Sequence, residues 1–293
     1  MVTDRVIIVS NGNTSVELTG LPFSVQKTKG FDRLEVQNVT SQGYDQDGAT
    51  LINSYVLPRS MEITGQVQAS TTIQMQELRE QLQDIFLPKR DITISHRYGG
   101  RTRVIKARVE KSPQFDFTEA TIILDYAVVL TAVEPYWRDA AETLVQIANI
   151  TGGLHFPLII PKDKGVTFGV KSKSLITNVY NKSAFRVPMR YVFLANGVVV
   201  NPQLFNIKTR KFMKLLCTME AGEKITVESG DDYLVTRNRG GVKENYIGKI
   251  DLAGGGSTFL TLDPGDNLFR YGAESGEDML EMRIFFCNKY PGV

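Results

Sequence analysis

Short runs rich in β-branched and aromatic residues recur along this chain, most of them closed by a glycine, proline or asparagine turn. Such runs between turn signals are strands, and many in series make packed sheets. The first half gives Arg5–Val9, Val16–Leu18, Leu34–Val39, Met61–Val67, Asp91–Ser95, Thr102–Lys111 and Thr121–Val133. Leu34–Val39 alternates apolar and polar residues, which predicts a half-buried strand. One window has a different period. Met75, Leu78, Leu82, Ile85 and Phe86 repeat at helical spacing, Thr71 and Gln74 match a capping box, and Pro88 stops the run. A single helix over about 72–86, lying on the sheet, is predicted.

The strand ending at Val133 runs into Glu134-Pro135-Tyr136-Trp137-Arg138-Asp139. Pro135 lacks the N–H that a ladder needs and ends the pairing. The chain's one tryptophan follows. Beyond it no amphipathic helical window appears. The apolar runs are Leu158–Ile160, Val166–Phe168, Arg190–Leu194, Phe212–Leu215, Lys224–Val227, Ser257–Leu262 and Met282–Phe286. This predicts two domains, 1–139 and 140–293, the second a β-sandwich. Glu134, Pro135, Tyr136, Trp137 and Arg138 form the expected interdomain hinge, with Trp137 packed as an anchor between the two.

Two segments stand out as surface. Ser41–Thr50 is polar and glycine-bearing, too polar for a core, and reads as a long loop or the tip of an extended arm. Asp45 and Asp47 precede Gly48, but the remaining ligands of a calcium loop are missing. The second segment is the hairpin turning at Tyr98-Gly99-Gly100, where His96, Arg97, Arg101, Arg103, Lys106 and Arg108 make the densest positive cluster of the first domain. Interface elements are therefore expected in Ser41–Tyr55, with Gly43, Tyr44, Asp45, Asp47 and Gly48, and around Tyr98–Arg103, with Arg97, Tyr98, Arg101 and Arg103.

Catalytic chemistry finds little footing. The chain has two histidines, His96 and His155, and no H-E-x-x-H, Walker A or G-x-S-x-G motif. Cys217 and Cys287 match no metal or redox spacing. No catalytic residue, metal ligand or cofactor is predicted, and the chain is not expected to be an enzyme. The formal net charge is +2, too small for bulk attraction to nucleic acid or membrane. No run approaches the length of a membrane span.

Taken together, several segments resemble the distal tail protein (Dit) family of siphophages infecting Gram-positive bacteria. They are the strand entering Glu134-Pro135-Tyr136-Trp137-Arg138-Asp139; Gly152-Gly153 with Phe156-Pro157-Leu158; Asn178-Val179-Tyr180-Asn181-Lys182; Asn201-Pro202 with Leu204 and Asn206; Gly222-Glu223-Lys224-Ile225; Gly265-Asp266-Asn267; and Tyr290-Pro291-Gly292-Val293. One position departs: the family commonly has glycine after Thr209, where this chain has Arg210.

The resemblance implies an N-terminal tail-tube-like β-barrel or sandwich domain with one helix and an extended hairpin, and a C-terminal galectin-like β-sandwich. It implies a homo-hexameric ring at the distal end of a virion tail, made and assembled in the host cytoplasm, with a channel for DNA. The implied partners are the tail tube protein and the tail-associated hub or lysin protein, with tape measure and receptor-binding proteins as further ones. The alternative is a carbohydrate-binding β-sandwich serving host cell-wall attachment. Against it, the second half has no tryptophan to stack on a sugar and no room for an inserted binding module.

Overall fold

A computed structural model describes residues 5–117, 122–147, 150–152, 169–171, 176–230, 232–253 and 256–293. Its chain divides into two units, Met1–Ala140 with Lys289–Val293, and Ala141–Asn288. The last five residues thus belong to the first unit, where the sequence reading had them closing the second.

The first unit contains β1 (Val6–Ser10), β2 (Ser15–Glu17), β3 (Thr19–Gly20), β4 (Phe23–Lys29), β5 (Val36–Ser41), β6 (Thr50–Val56), β7 (Arg59–Gln68), α1 (Thr72–Ile85), β8 (Asp91–Tyr98), β9 (Arg101–Phe117), β10 (Ile123–Ala132) and β11 (Trp137–Asp139). All the strands but β5 and β6 join one antiparallel sheet along the order β2-β1-β8-β9-β10-β7-β4-β3, with β11 on β9 and the returning strand Lys289–Tyr290 on β11. The period-2 pattern decides which face is inside. On β10, Leu124, Tyr126, Val128, Leu130 and Ala132 are buried and the intervening residues are not.

The sheet's two end strands, β2 and β3, are neighbours in sequence, joined by Leu18, which is fully buried and donates its N–H to Ile7. The sheet therefore curls on itself without closing as a barrel. Pro113 sits in β9 where the register against β10 slips, the one kind of interior site where a missing N–H costs no ladder bond.

The helix follows its sequence signals. Thr71 caps it, its side chain accepting from the N–H of Gln74, and Gln74 reaches back to the N–H of Ser70 at 2.8 Å. Met75, Leu82 and Ile85, with Phe86, join the core of the sheet. Burying one such side chain contributes roughly 1.5–3 kcal/mol.

The second unit packs two antiparallel sheets. One runs Thr143–Gln146, Leu280–Phe286, Val187–Ala195, Lys224–Ser229, Tyr233–Arg239, Val242–Asn245, and the other Ile176–Asn181, Gly265–Gly272, Gln203–Asn206, Phe212–Lys214. Tyr191, Phe193, Ile225, Val227, Val235 and Ile284 from the first meet Val179, Leu204, Met213, Phe269 and Tyr271 from the second in one core. Of the run Ser257–Leu262, Thr261–Leu262 alone is a strand. The runs Leu158–Ile160 and Val166–Phe168, and His155, lie outside the described residues.

The family-like motifs of this half build turns. The Asn181 amide donates to the carbonyls of Phe185, Leu262 and Asp263. That of Asn267 donates to Val179, Asp263 and Gly265. Asn206 accepts from the N–H groups of Lys208 and Thr209, both at 3.0 Å. Glu223, buried, accepts from Arg237 Nη2 at 2.7 Å on each of its oxygens and from Arg237 Nε at 3.1 Å. The three asparagine side chains replace water for backbone groups of the turns, which accounts for their type and spacing.

Candidate assembly interface

β5 and β6 form a separate two-stranded ribbon, Val36 opposite Val56 and Ser41 opposite Thr50, that joins no other sheet among the described residues. Every residue of β5 is exposed, and every residue of β6 but Val56. The half-buried strand predicted from Leu34–Val39 is thus corrected. The alternation is present, but no layer of the chain lies beneath it. Leu51 and Ile52 are 59% and 64% exposed, with Val36, Val39 and Tyr55 also open. A lone two-stranded ribbon is marginal in water, and apolar side chains displayed on one mark a surface made for a partner.

The arm's tip is organised by Gln46. Its side chain accepts from Gly43 N–H at 2.9 Å and donates to Thr50, and its carbonyl accepts from Gln42. Asp45 and Gly48 take positive φ. Tyr44, Asp45 and Asp47 are left facing out.

Arg59 fixes the arm's root. Its guanidinium donates to the carbonyls of Gly30, Phe31 and Arg33 on one side of the arm, and to those of Pro135 and Pro291. Arg59 is 3% exposed. Burial lowers its pKa, opposed by the nearby charge of Asp32. Gly30 turns at φ 74°, and a Cβ there would meet the Ser60 carbonyl oxygen at 2.0 Å, so no other residue fits. Sequence reading missed Arg59. The signal was present: it shares the inward face of β7 with Met61, Ile63 and Val67.

The expected hinge lies inside the first unit. Trp137 is fully buried in that unit's core, its ring 5.4 Å from that of Phe31. The reading of Trp137 as an anchor between domains is therefore corrected. Pro135 gives its carbonyl to Arg59, and Tyr136 lies beneath the Lys289 ammonium at 5.1 Å. Glu134 pairs with both Arg138 and Lys289. Burial opposes its ionisation, but these two cations outweigh it and hold its pKa below the ordinary range.

The positive hairpin divides in two. Arg97, Tyr98 and Arg101 are exposed at its turn, with Tyr98 61% exposed. Arg103 instead stacks on the Tyr290 ring at 3.9 Å and donates to the Gly292 carbonyl, and Arg108 pairs with Asp91 at 2.6 Å. His96 faces the core beside Phe31 and Trp137, accepting from Arg5 at 3.0 Å. Burial and the charge of Arg5 lower its pKa to about 4.

In the second unit an open groove of about 430 Å³ crosses the outward face of the larger sheet, lined by Arg190, Lys224, Thr226, Asn238, Arg283 and Phe285 among others. The face of its one aromatic ring, Phe285, is covered by the Arg190 guanidinium at 4.1 Å. Among the described residues no cluster of His, Cys, Asp and Glu could hold a metal ion, and no helix is long and apolar enough to cross a membrane.

Residues 15–124 match the family described as the phage tail protein RIFT-related domain. Across the whole chain the fold is similar to that of SPP1 Dit, presented as a paradigm of the hub adsorption apparatus in phages infecting Gram-positive bacteria. The TM-score is 0.70 at 13% identity, over 97% of this chain and 99% of that one. A chain of the phage p2 baseplate in its activated conformation with Sr is similar at TM-score 0.60 and 11% identity, over 99% of each chain. The same baseplate with Ca gives 0.59 at 11% identity, again over 99% of each. No curated protein sequence matches. The family match covers residues 15–124, and over the whole chain the likeness, at these identities, is one of fold.

Proposed function

We propose that this chain, which has the fold of the siphophage distal tail proteins and a phage tail domain in residues 15–124, is a structural component of a tail tip. It assembles as a hexameric ring that joins the tail tube to the tail-associated hub and leaves a channel for DNA. It sits at the distal end of the virion tail, with tape measure and receptor-binding proteins as further neighbours. The two units act as separate domains, the first forming the ring.

The observation that carries this reading is the arm. A ribbon with open apolar side chains on a buried, arginine-clamped root is held out from the chain while lacking any packing of its own. A ring needs two different surfaces on each subunit, closed by rotation, and a projecting ribbon supplies one. The net charge of +2 suits a channel through which DNA passes without being held.

Electron microscopy of the purified protein tests the proposal. Six-fold rings with an open centre are expected. Deleting Gly43–Gly48 is expected to impair ring formation or docking to the tube, and rings that form and dock normally without these residues would remove the arm from the assembly.

A further inference from the structure

We infer that the first unit's two exposed, oppositely charged tips are the two halves of one contact between copies. Tyr44, Asp45 and Asp47 on the arm of one chain seat on Arg97, Tyr98 and Arg101 of the next. The inference rests on the ring reading above and gives it named residues.

Charge differs in sign between the arm and the outer part of the hairpin, which Asp91 and Glu110 bound at its base. From Leu34 to Pro58 the arm carries Glu35, Asp45 and Asp47 and no cation, while from Ile92 to Val109 the hairpin carries five Lys or Arg side chains and no carboxylate. Arg103 and Arg108 are spent within the chain, on Gly292 and Asp91. Arg97 and Arg101 remain at the exposed turn, with Tyr98 between them. On the arm, Gln46 satisfies the tip's backbone and leaves both aspartates facing out.

Within one chain both patches are exposed rather than seated on each other. The hairpin lies beside the arm's root, since the rings of His96 and Phe31 are 6.3 Å apart, and Gly292, which accepts from Arg103, packs on the backbone of Asp32. The acidic tip lies at the far end of the ribbon. The six residues of β5 span about 20 Å at the usual rise. An identical neighbour has the missing patch in the required place. Such a contact uses different surfaces on its two sides, the kind that generates a ring. Exposed ion pairs contribute little affinity. They set partner choice, register and approach rate, while the ribbon's open Leu51, Ile52 and Tyr55 and the two tip tyrosines provide the area to be buried.

Charge reversal tests this by native mass spectrometry and light scattering, with circular dichroism checking that each variant folds. Asp45→Lys with Asp47→Lys, and separately Arg97→Glu with Arg101→Glu, are each expected to weaken self-association at least tenfold. The chain carrying all four changes is expected to regain most of it. In an equimolar mixture of the two partial variants every arm can meet a hairpin of opposite charge on the other variant, so rings of alternating chains should form where neither variant alone assembles. Wild-type rings indifferent to both reversals, or a four-fold variant no better than its parents, would sink this contact and leave the ring standing. Wild-type protein that stays monomeric at every concentration would sink the ring reading and the contact with it.

Discussion

The indole N–H of Trp137 donates to the carbonyl of Phe31 at 3.0 Å, across 106 residues of sequence. It ties the stretch after Pro135 to the arm's root. Trp137→Ala is expected to cost the first unit about 3–5 kcal/mol. Trp137→Phe, which keeps a ring but leaves the Phe31 carbonyl to Arg59 alone, should cost about 0.5–1.5 kcal/mol, one hydrogen bond's worth. Calorimetry resolves the two units' transitions and checks both values. As the single tryptophan, Trp137 should also report the first unit's unfolding by its emission. A red shift that followed the second unit's transition would contradict the assignment.

Arg59 serves five carbonyls with one planar group. Lysine keeps the charge but lacks the fork. Arg59→Lys is therefore expected to recover less than half of what Arg59→Ala loses, and the Ala variant should lose at least about 3 kcal/mol, two charged hydrogen bonds' worth. Hydrogen exchange would show the effect locally, with protection lost first around Gly30–Arg33. Equal stability of the Lys variant and the wild type would show that charge alone suffices.

Acid should loosen the first unit in a defined window. The pKa of His96 falls from 6.5 to about 4 on folding, through burial and then Arg5. Above about pH 6.5 both states are neutral there and the fold is unaffected. As pH falls from 6.5 towards 4, the unfolded chain takes up a proton that the folded one refuses, so stability drops, by up to ~3 kcal/mol. Glu134, whose pKa is depressed, adds its loss lower, below the ordinary carboxylate range. His96→Gln should flatten the pH 4–6.5 part of the first unit's melting profile. An unchanged slope would locate the proton uptake elsewhere.

Arg210 occupies the left-handed region at φ 57°. The turn begun by Asn206 demands that conformation, and glycine adopts it at no steric cost. The departure from the family pattern thus leaves the turn's shape intact. Arg210→Gly is expected to raise the second unit's stability by about 0.5–1 kcal/mol, the relief of strain exceeding the added freedom of the unfolded chain. A lower melting temperature would mean that the arginine side chain contributes more than its backbone costs.

Local patterns carried much of this structure. The capping pair Thr71 and Gln74 and the stripe through Leu82 defined the helix, and alternation defined most strands. The same alternation misread Leu34–Val39, because a period of two shows that a strand has two faces and does not show that anything covers them. The return of Lys289–Val293 to the first unit had no local signature, since it rests on contacts such as that of Arg59 with Pro291, 232 residues apart. At the candidate interface, acidic and basic tips were both visible as composition. His96 was grouped with the exposed cations, although Ile92, Ile94 and His96 share one face of β8, and that spacing already placed it inward. The division of Arg103 from Arg97 and Arg101 depends on which residue the tail meets.

Trp137 faces Tyr290 and Arg138 faces Lys289 across one antiparallel ladder. The chain therefore leaves the first unit and re-enters it at opposed positions, roughly 5 Å apart. In construction terms the second unit is a graft on a two-stranded stem. Any module whose own ends lie close together could occupy the same stem without disturbing the stock. Replacing Ala141–Asn288 with a short turn should leave a first unit that folds alone. On this plan the inserted unit can be exchanged while the unit that carries it keeps its own fold.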